Sequence, residues 1–246
     1  IGPRLSGSAG AAKAVQWCEA ESKKIADNVF LQDVMVPHWV RGEKEKAHFI
    51  ITGKETEVNI CALGGSVATP ANGITANIIE VKNFDELKEL GTEKIKGKMV
   101  FFNRPMDATH IHCFEAYGGA VNQRGGGAMQ AAKYGAVGVV VRSMTQEIDK
   151  YPHTGAMRYD DSIPKIPACA ISTYDANVLS AQLMKDADTK FFFKQSCNTL
   201  PDAPSHNVVA EIKGTEFPDE IILVGGHLDS WDLAQGAHDD GAGIVQ

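Results

Sequence analysis

The sequence predicts an α/β fold, in which a mixed sheet is interrupted by a smaller inserted α/β domain. Strand and helix patterns alternate between residues 74 and 194, which is typical of a sheet covered by helices. Three short strand patterns, over residues 29–36, 48–52 and 57–63, indicate an antiparallel edge. The apolar run 221–224 is too short for a helix and rich in β-branched residues, so it predicts a strand buried on both faces.

The segment after this last strand carries the candidate site. Gly225-Gly226 ends the apolar run, and His227, Asp229, Asp232 and then Asp239-Asp240 follow closely. Ligands and catalytic groups in open α/β sheets lie at the carboxyl ends of strands, and this order of residues places His227 there.

These residue types suit a metal-dependent hydrolytic site. A neutral imidazole and a carboxylate oxygen both bind zinc, and one carboxylate can bridge two metal ions about 3.5–4 Å apart. A zinc-binding histidine also needs its second ring nitrogen held, which Asp229 could do. The small residues at 236–237 and 241–243 let backbone and metal approach closely. Each piece alone is a weak signal, whereas the ordered combination is far more specific.

Two motifs in this segment, Gly226-His-Leu-Asp-Ser-Trp-Asp232 and Gln235-Gly-Ala-His-Asp-Asp-Gly241, resemble the first metal-binding motifs of the co-catalytic di-zinc aminopeptidase and carboxypeptidase family. The resemblance implies two zinc ions per intact active site. It implies that His227 binds one zinc and that Asp239 bridges both. It also implies that Asp229 is a catalytic residue that orients the zinc-binding histidine.

The same resemblance implies a cis peptide bond between Asp239 and Asp240. Ser230, Trp231 and Asp232 lie inside the first motif and could contact a peptide substrate, although packing is the commoner role of such a tryptophan. The residues that bind substrate therefore stay unassigned.

A further block is similar to a protease-associated domain, a small strand-and-helix insert found in several exopeptidase families. Its motifs are Gly97-Lys-Met-Val-Phe-Phe102, residues 131–141 and Ile166-Pro-Ala-Cys-Ala-Ile-Ser172, preceded by a Pro/Gly-rich stretch over 64–73. The predicted division is a catalytic domain in two parts, 1–70 and 199–246, around an insert over 71–198. The fold expected from the resemblance is a partial mixed-sheet zinc-exopeptidase catalytic domain with this insert.

Composition excludes several partners. The 246 residues carry 24 Lys and Arg against 31 Asp and Glu, a net charge of −7, and no basic run, which argues against nucleic acid or an anionic membrane. No apolar stretch approaches the roughly 18 residues that span a bilayer. No signal peptide is visible, but the chain starts at Ile1 rather than Met, so this says little about export.

The cysteines do not suggest a metal site. There are five, with no Cys-x-x-Cys pair: Cys18, Cys61, Cys113, Cys169 and Cys197. We expect free buried thiols for most of them, and the sequence leaves their pairing open. The stretch His110-Ile-His112-Cys113 has metal-compatible residues, but three neighbours do not easily close a tetrahedron, so a loop with solvated histidines is favoured.

Three further segments have simple interpretations. Ser8 is a good N-cap for a helix over residues 9–26, and Arg4 just before it is either a solvated charge or a packing or interface residue. Residues 107–119 are expected to be irregular. Residues 201–204 are expected to form the linker out of the insert.

In the family, a Glu-Glu pair, an Asp and a His complete the active site further along the chain. No candidates for them follow Asp240, so we expect this chain alone to be inactive and incompletely packed outside the insert. The intact enzyme is expected to hydrolyse dipeptides or short peptides with free termini by a metal-activated water, and aminopeptidase, carboxypeptidase and dipeptidase action all stay open. The resemblance also implies a secreted or periplasmic homodimer.

Two rival hypotheses stay open. The chain could be a non-catalytic protease-associated binding module with a vestigial peptidase half, which the sequence after Gln246 would decide. It could also belong to a related di-zinc deacylase or glutaminyl cyclase-type enzyme, which a comparison of free and acylated dipeptides would distinguish.

Overall fold

The computed structural model describes residues 1–51 and 53–246, and these form two compact units. The first unit comprises Ile1–Val40 and Thr199–Gln246, and the second comprises Arg41–Asn198. The predicted boundary at 198–199 coincides with the point where the chain returns from the second unit to the first. The predicted boundary at 70–71 lies inside the second unit, because strands between residues 46 and 62 pair with strands of that unit.

Fifteen regular helices and strands are described, five helical and ten extended. In chain order they are α1 (Ala9–Ser22), β1 (Asn28–Val40), β2 (Lys46–Ile51), β3 (Lys54–Glu57), β4 (Ile60–Ala62), β5 (Ile74–Val81), α2 (Phe84–Ile95), β6 (Met99–Phe102), α3 (Cys113–Ala120), α4 (Asn122–Ala132), β7 (Gly138–Arg142), β8 (Ala168–Ile171), α5 (Thr173–Leu183), β9 (Lys190–Lys194) and β10 (Asn198–Glu211). Thr52, the last residue of one predicted strand, lies outside the described residues.

The first unit begins with the predicted N-cap. The Ser8 side chain accepts a hydrogen bond from the backbone N–H of Ala11 at 3.2 Å, and α1 runs from there to Ser22. The predicted helix to residue 26 is too long, because residues 23–26 form a tighter turn after the C-cap. The helix buries Ala11, Ala14 and Val15.

β1 and β10 form a two-stranded ribbon. Side chains pair between Asn28 and Glu211 and between Asp33 and His206. Residue numbers on β10 therefore decrease as those on β1 increase, which is the order of an antiparallel pair. The expected linker over 201–204 is wrong, because these residues lie within β10.

The second unit is built on an eight-stranded mixed sheet in the order β3-β2-β9-β5-β6-β7-β8-β4. The four central neighbours β5, β6, β7 and β8 run parallel, and the flanking pairs run antiparallel. Parallel strands need crossovers, and helices supply two of them, α2 between β5 and β6 and α3 with α4 between β6 and β7. Residues 143–167, between β7 and β8, contain no helix.

Both faces of this sheet are buried, as alternation along single strands shows. Val139 and Val141 lie in one core with residues of α2 and α4, whereas Val140 lies in the opposite core with Leu179 of α5. Phe102 and Phe101 divide between the same two cores in the same way. The side-chain period of two in a strand explains the division, and the continuous apolar runs of β6 and β7 follow from it.

The expectation of irregular structure over 107–119 is wrong in its second half. α3 begins at Cys113, and it buries Ala116 and Ala120, which lie four residues apart on one face. Gly118 and Gly119 weaken the helical pattern in sequence, and packing of this small-residue face overrides that weakness.

The predicted strand over 221–224 is the main correction in the first unit. These residues carry no strand assignment, and their side chains are between 87% and 91% exposed. A strand buried on both faces needs neighbours on both edges, and none of the described strands lies beside this run. Among residues 1–51 and 53–246, no helix is both long enough and apolar enough to cross a membrane.

We expect the exposed run over residues 221–224 to promote self-association of the chain. Four adjacent exposed apolar side chains form a surface that binds hydrophobic dyes and promotes association. Replacing Ile222 with Lys should lower both the fluorescence of a bound hydrophobic dye and self-association measured by analytical ultracentrifugation. Ile25→Lys is the matched control, because Ile25 is 79% exposed but lies outside the run. Equal effects of both variants would contradict the assignment of the sticky surface to this run.

The thiols confirm the expectation for cysteine and generate a second prediction. All five cysteines are thiols, and Cys61, Cys169 and Cys197 are buried. Burial raises the pKa of Cys197 to about 11, from an ordinary value of 9.0. Its folded-state pKa is raised, so its contribution to stability is present below pH 9.0 and is lost as the pH rises towards 11.

Between about pH 8 and about pH 10.5, the free energy of unfolding of the second unit should therefore fall more in the wild type than in Cys197→Ala, by about 2 kcal/mol. Urea titrations followed by circular dichroism measure this difference. The comparison between variants cancels the other groups that titrate in the same range. An identical fall in both proteins would show that Cys197 ionises equally easily in the folded and unfolded chains.

Candidate active site

The loop after residue 224 brings the three predicted site residues together. His227 Nδ1 lies 3.0 Å from the backbone oxygen of Asp229 and 3.1 Å from its Oδ1, and His227 Nε2 lies 3.0 Å from Asp239 Oδ1. The imidazole is therefore held between two carboxylates, twelve residues of chain separating it from the second. The sequence motifs implied the roles of these residues but not the distances between them.

The contacts of the ring define its protonation. Nδ1 faces two oxygen acceptors of Asp229, which favours the tautomer with hydrogen on Nδ1. In that neutral tautomer Nε2 carries a lone pair, and it faces a carboxylate oxygen of Asp239. Two lone pairs 3.0 Å apart repel unless a cation lies between them, so this position attracts either a proton or a metal ion.

The pKa of His227 reflects the same competition. Partial burial lowers the pKa of its imidazole, but the hydrogen bond to the Asp229 backbone, the charge of Asp229 and the hydrogen bonds to both carboxylates outweigh burial. The pKa of His227 is therefore raised above its ordinary value. The two carboxylates thus draw positive charge to the ring.

The donor set fits zinc in part. Two ligands about 2.0–2.2 Å from a tetrahedral ion are about 3.3 Å apart, close to the 3.0 Å between His227 Nε2 and Asp239 Oδ1. The site is open, since the side chains of His227 and Asp239 are 53% and 82% exposed. Within residues 1–51 and 53–246, no group of three or more His, Cys, Asp and Glu side chains could hold a metal ion. The described residues thus supply a pair of donors and an open side.

Asp239 lies in a tight turn over Ala237–Ala242, in which Asp239 and Asp240 have non-helical backbone angles. The peptide bond between Asp239 and Asp240 is cis, which confirms the expectation from the resemblance. The backbone N–H of Gly241 donates to the oxygen of Gly236 at 3.1 Å and closes the turn.

Glycines are required where the loop approaches itself. Gly236 has a φ of +60°, and a Cβ at this position would lie 2.3 Å from Ser230 Cβ and 2.7 Å from Arg4 Nη1. A Cβ at Gly226 would lie 2.5 Å from Asp240 Oδ2. The expectation that small residues permit close approach is confirmed here, for contacts within the protein.

Arg4 is the site residue that sequence reasoning did not find. Its side chain is buried, and its guanidinium donates hydrogen bonds to the backbone oxygens of Leu228, Gln235 and Gly236. The packing alternative for Arg4 is therefore confirmed over the solvated one. Ser230 is also buried, with its Oγ accepting from the Arg4 N–H at 3.3 Å, so it faces the interior rather than a substrate.

The stretch His110-Ile-His112-Cys113 lies in the second unit. His110 is exposed, and its ring contacts Glu115 at 3.1 Å, while His112 and Cys113 are exposed beside it. Both histidines are therefore solvated, as the sequence predicts, and Cys113 begins α3.

A cavity of about 500 Å³ lies within the first unit, beside the candidate loop. Its walls come from α1, from the centre of β1, from residues 205–208 of β10 and from residues 224–229.

Replacing Gly236 with Ala should destabilise the loop. The new Cβ meets Ser230 in a backbone conformation that alanine rarely adopts, so we expect a loss of about 1–3 kcal/mol. All three tryptophans, Trp17, Trp39 and Trp231, lie in the first unit, so urea unfolding followed by tryptophan fluorescence reports on it.

Gly225→Ala is the matched control. A Cβ there meets nothing within 4 Å, and its φ lies outside the left-handed region, so the change should stay within about 0.5 kcal/mol. A Gly236→Ala protein as stable as the control would show that the loop relaxes without cost.

Comparisons with known proteins agree with these features. Residues 207–246 match the model of Peptidase family M28. Carboxypeptidase Q from Xenopus laevis is 40% identical over 244 residues, which cover 99% of this chain and 50% of that protein. Carboxypeptidase Q from Homo sapiens is 38% identical over the same length, with 99% and 49% covered. The chain thus spans about half the length of the curated relatives that it matches.

A solved structure extends the likeness to the whole fold. The crystal structure of a peptidase M28 precursor from Shewanella amazonensis SB2B superposes with a TM-score of 0.93 at 37% identity, covering 99% of this chain and 54% of that one. The α/β mixed-sheet fold predicted from the sequence is confirmed, and so is the resemblance read from the two metal-binding motifs. The chain is therefore similar to peptidase family M28 in both sequence and fold.

Proposed function

We propose that the intact protein is a di-zinc exopeptidase that hydrolyses dipeptides or short peptides with free termini by a metal-activated water. One observation carries the proposal: His227 Nε2 faces Asp239 Oδ1 at 3.0 Å while Asp229 holds the opposite ring nitrogen. The names of the relatives, which include carboxypeptidase Q and a zinc aminopeptidase from Bacillus subtilis, support it.

Each residue has a distinct role in this proposal. His227 would hold a zinc ion through Nε2, and the carboxylate of Asp239 would be a ligand in the same metal centre. Asp229 accepts the hydrogen of Nδ1, which keeps the Nε2 lone pair directed at the metal and makes it more basic. When bound, the metal polarises the scissile carbonyl and lowers the pKa of its water.

The described residues provide only part of this site. A catalytic zinc has about three protein ligands and a water, whereas His227 and Asp239 provide two donors. The remaining ligands and a general base for the water must come from elsewhere in the protein. We therefore propose that this 246-residue chain is inactive by itself.

The other features implied by the resemblance are part of the same proposal. Residues 71–198, which lie within the second unit, serve as a protease-associated domain inserted in the catalytic domain. The protein is secreted or periplasmic, its substrate is a peptide, and it forms a homodimer. The residues that bind substrate stay unassigned. Ser230, one of the three residues suggested from the sequence, is buried against Arg4.

A binding module without catalysis is the second candidate. The second unit buries both faces of its sheet with its own residues, whereas the first unit leaves an apolar run exposed. This difference favours a module in which only the second unit is functional. Metal binding distinguishes the two candidates, because the module has no need of it.

We expect elemental analysis after dialysis to find about two zinc ions in each full-length protein and less than one in this chain. His227→Ala should abolish zinc binding at the position that His227 and Asp239 share. Asp229→Asn should weaken zinc affinity by about 10- to 100-fold. His238→Ala is the matched control, because His238 is exposed in the same loop and should leave zinc content unchanged.

Full-length protein without zinc would remove the di-zinc proposal and leave the module. Substrate class is tested next, on free dipeptides and on the same dipeptides with acylated amino groups. Turnover of the free dipeptides, abolished by a chelator, supports the exopeptidase. Preferential turnover of the acylated series would instead indicate a deacylase.

A further inference from the structure

Arg4 is an unusual buried cation. Only 6% of the residue is exposed, and the hydrogen bonds of its guanidinium among the described residues all end on backbone oxygens. Nε donates to Leu228 at 2.6 Å, Nη1 donates to Gln235 at 2.9 Å and to Gly2 at 3.2 Å, and Nη2 donates to Gly236 at 2.9 Å. All three nitrogens of the fork are therefore used, in directions fixed by a planar group.

The acceptors lie at both ends of the loop that separates the two proposed ligands. Leu228 follows His227 directly, and Gln235 and Gly236 lie at the start of the turn that carries Asp239. The oxygen of Gly236 also accepts the N–H of Gly241, so the fork is connected to both sides of Asp239. One side chain thus joins the segment before the loop to the segment after it.

The backbone of Arg4 reinforces the connection. Its N–H donates to Ser230 Oγ at 3.3 Å, and its oxygen accepts the N–H of Ser230 at 3.1 Å. The loop is therefore fastened at its middle as well as at its ends, by a residue more than two hundred positions away in sequence.

Charge explains why a cation serves here. Residues 221–246 contain four aspartates and neither lysine nor arginine. Burying a charge without compensation is costly, and carbonyl dipoles together with nearby carboxylates offset that cost. Arg4 thus supplies positive charge to an acidic segment without occupying a carboxylate that a metal needs.

We propose that Arg4 is a positioning residue that sets the separation between His227 and Asp239 by holding the two ends of their loop. The inference rests on the proposed metal role of those two side chains. Arg4 touches neither of them through a described hydrogen bond, so it acts through the loop backbone. Lysine has the charge but lacks the planar fork, and it cannot reach three carbonyls in these directions.

The first experiment needs no metal. In the metal-free chain, Arg4→Lys should speed hydrogen exchange of the amides of Ser230 and Gly241 by at least about tenfold, because local opening no longer breaks the fork. Amides of the second unit should be unchanged. Arg158→Met is the control, because Arg158 is an exposed arginine of the second unit.

The second experiment tests the site in the full-length protein. Cobalt(II) replaces zinc as the probe, because its visible spectrum reports coordination geometry. Arg4→Lys should lower cobalt affinity by about 10- to 100-fold and alter the spectrum, as expected when a residue that orients ligands is changed. In Arg4→Ala, millimolar guanidinium should restore affinity and spectrum, whereas methylammonium should not.

The outcomes separate the two proposals. If the wild type binds no cobalt, the proposed function fails, and hydrogen exchange alone decides the role of Arg4. If Arg4→Lys binds cobalt like the wild type with an unchanged spectrum, or leaves both amides protected, the inference is overturned. If the Arg4 variants fail to fold, Ser230→Ala removes one fastening while leaving the fork, and a smaller loss of affinity with the same amide pattern is the supporting result. Unchanged affinity and exchange in that variant would overturn it.

Discussion

The site depends on one electrostatic constraint, the close approach of an imidazole nitrogen to a carboxylate oxygen. His227 Nε2 and Asp239 Oδ1 lie 3.0 Å apart, and this contact is favourable when a proton or a metal ion lies between them. Everything around it maintains that approach: Asp229 holds the far side of the ring, Gly236 lets the chain turn, and Arg4 holds the loop ends. A chain that holds two acceptors together in this way is organised for a positive ion.

The two units achieve order in different ways. In the second unit, each buried strand finds neighbours from the same continuous stretch, so alternation along β6 and β7 closes a core on each face. The first unit joins the two ends of the chain, and its stabilising contacts include the hydrogen bonds of Arg4 across more than two hundred residues. Its order therefore rests more on specific polar contacts, beside a cavity and an exposed apolar run.

Sequence predicted well what local pattern and chemistry determine. The N-cap at Ser8 and the helices on the sheet follow from patterns within a few residues. The roles expected for His227, Asp229 and Asp239 were implied by the resemblance of two short motifs to a known family. Predictions failed where the outcome depends on distant partners. Pro201 and Pro204 look like a linker, yet pairing with β1 makes them part of a strand.

Arg4 and the run 221–224 both show that burial cannot be predicted from local sequence alone. Arg4 is buried without a local signal for burial, whereas the run is exposed despite one. An arginine before a helix has no local signal for burial, because its acceptors are carbonyls that every residue carries. The only signal in sequence is indirect: four aspartates without a lysine or arginine in residues 221–246, which need a cation from elsewhere. The apolar run has a strong local signal for burial, yet its side chains are exposed because no described strand covers them.

The physical difference between these two cases matters for function. A hydrophobic run is satisfied by any apolar neighbour of the right shape, so its burial can be supplied by a separate part of a protein. A guanidinium fork is satisfied only by acceptors in fixed directions, so its partners must be placed within the unit that carries it. The loop around His227 and Asp239 is therefore shaped by the first unit itself, through Arg4, before any further strand or ligand completes the site.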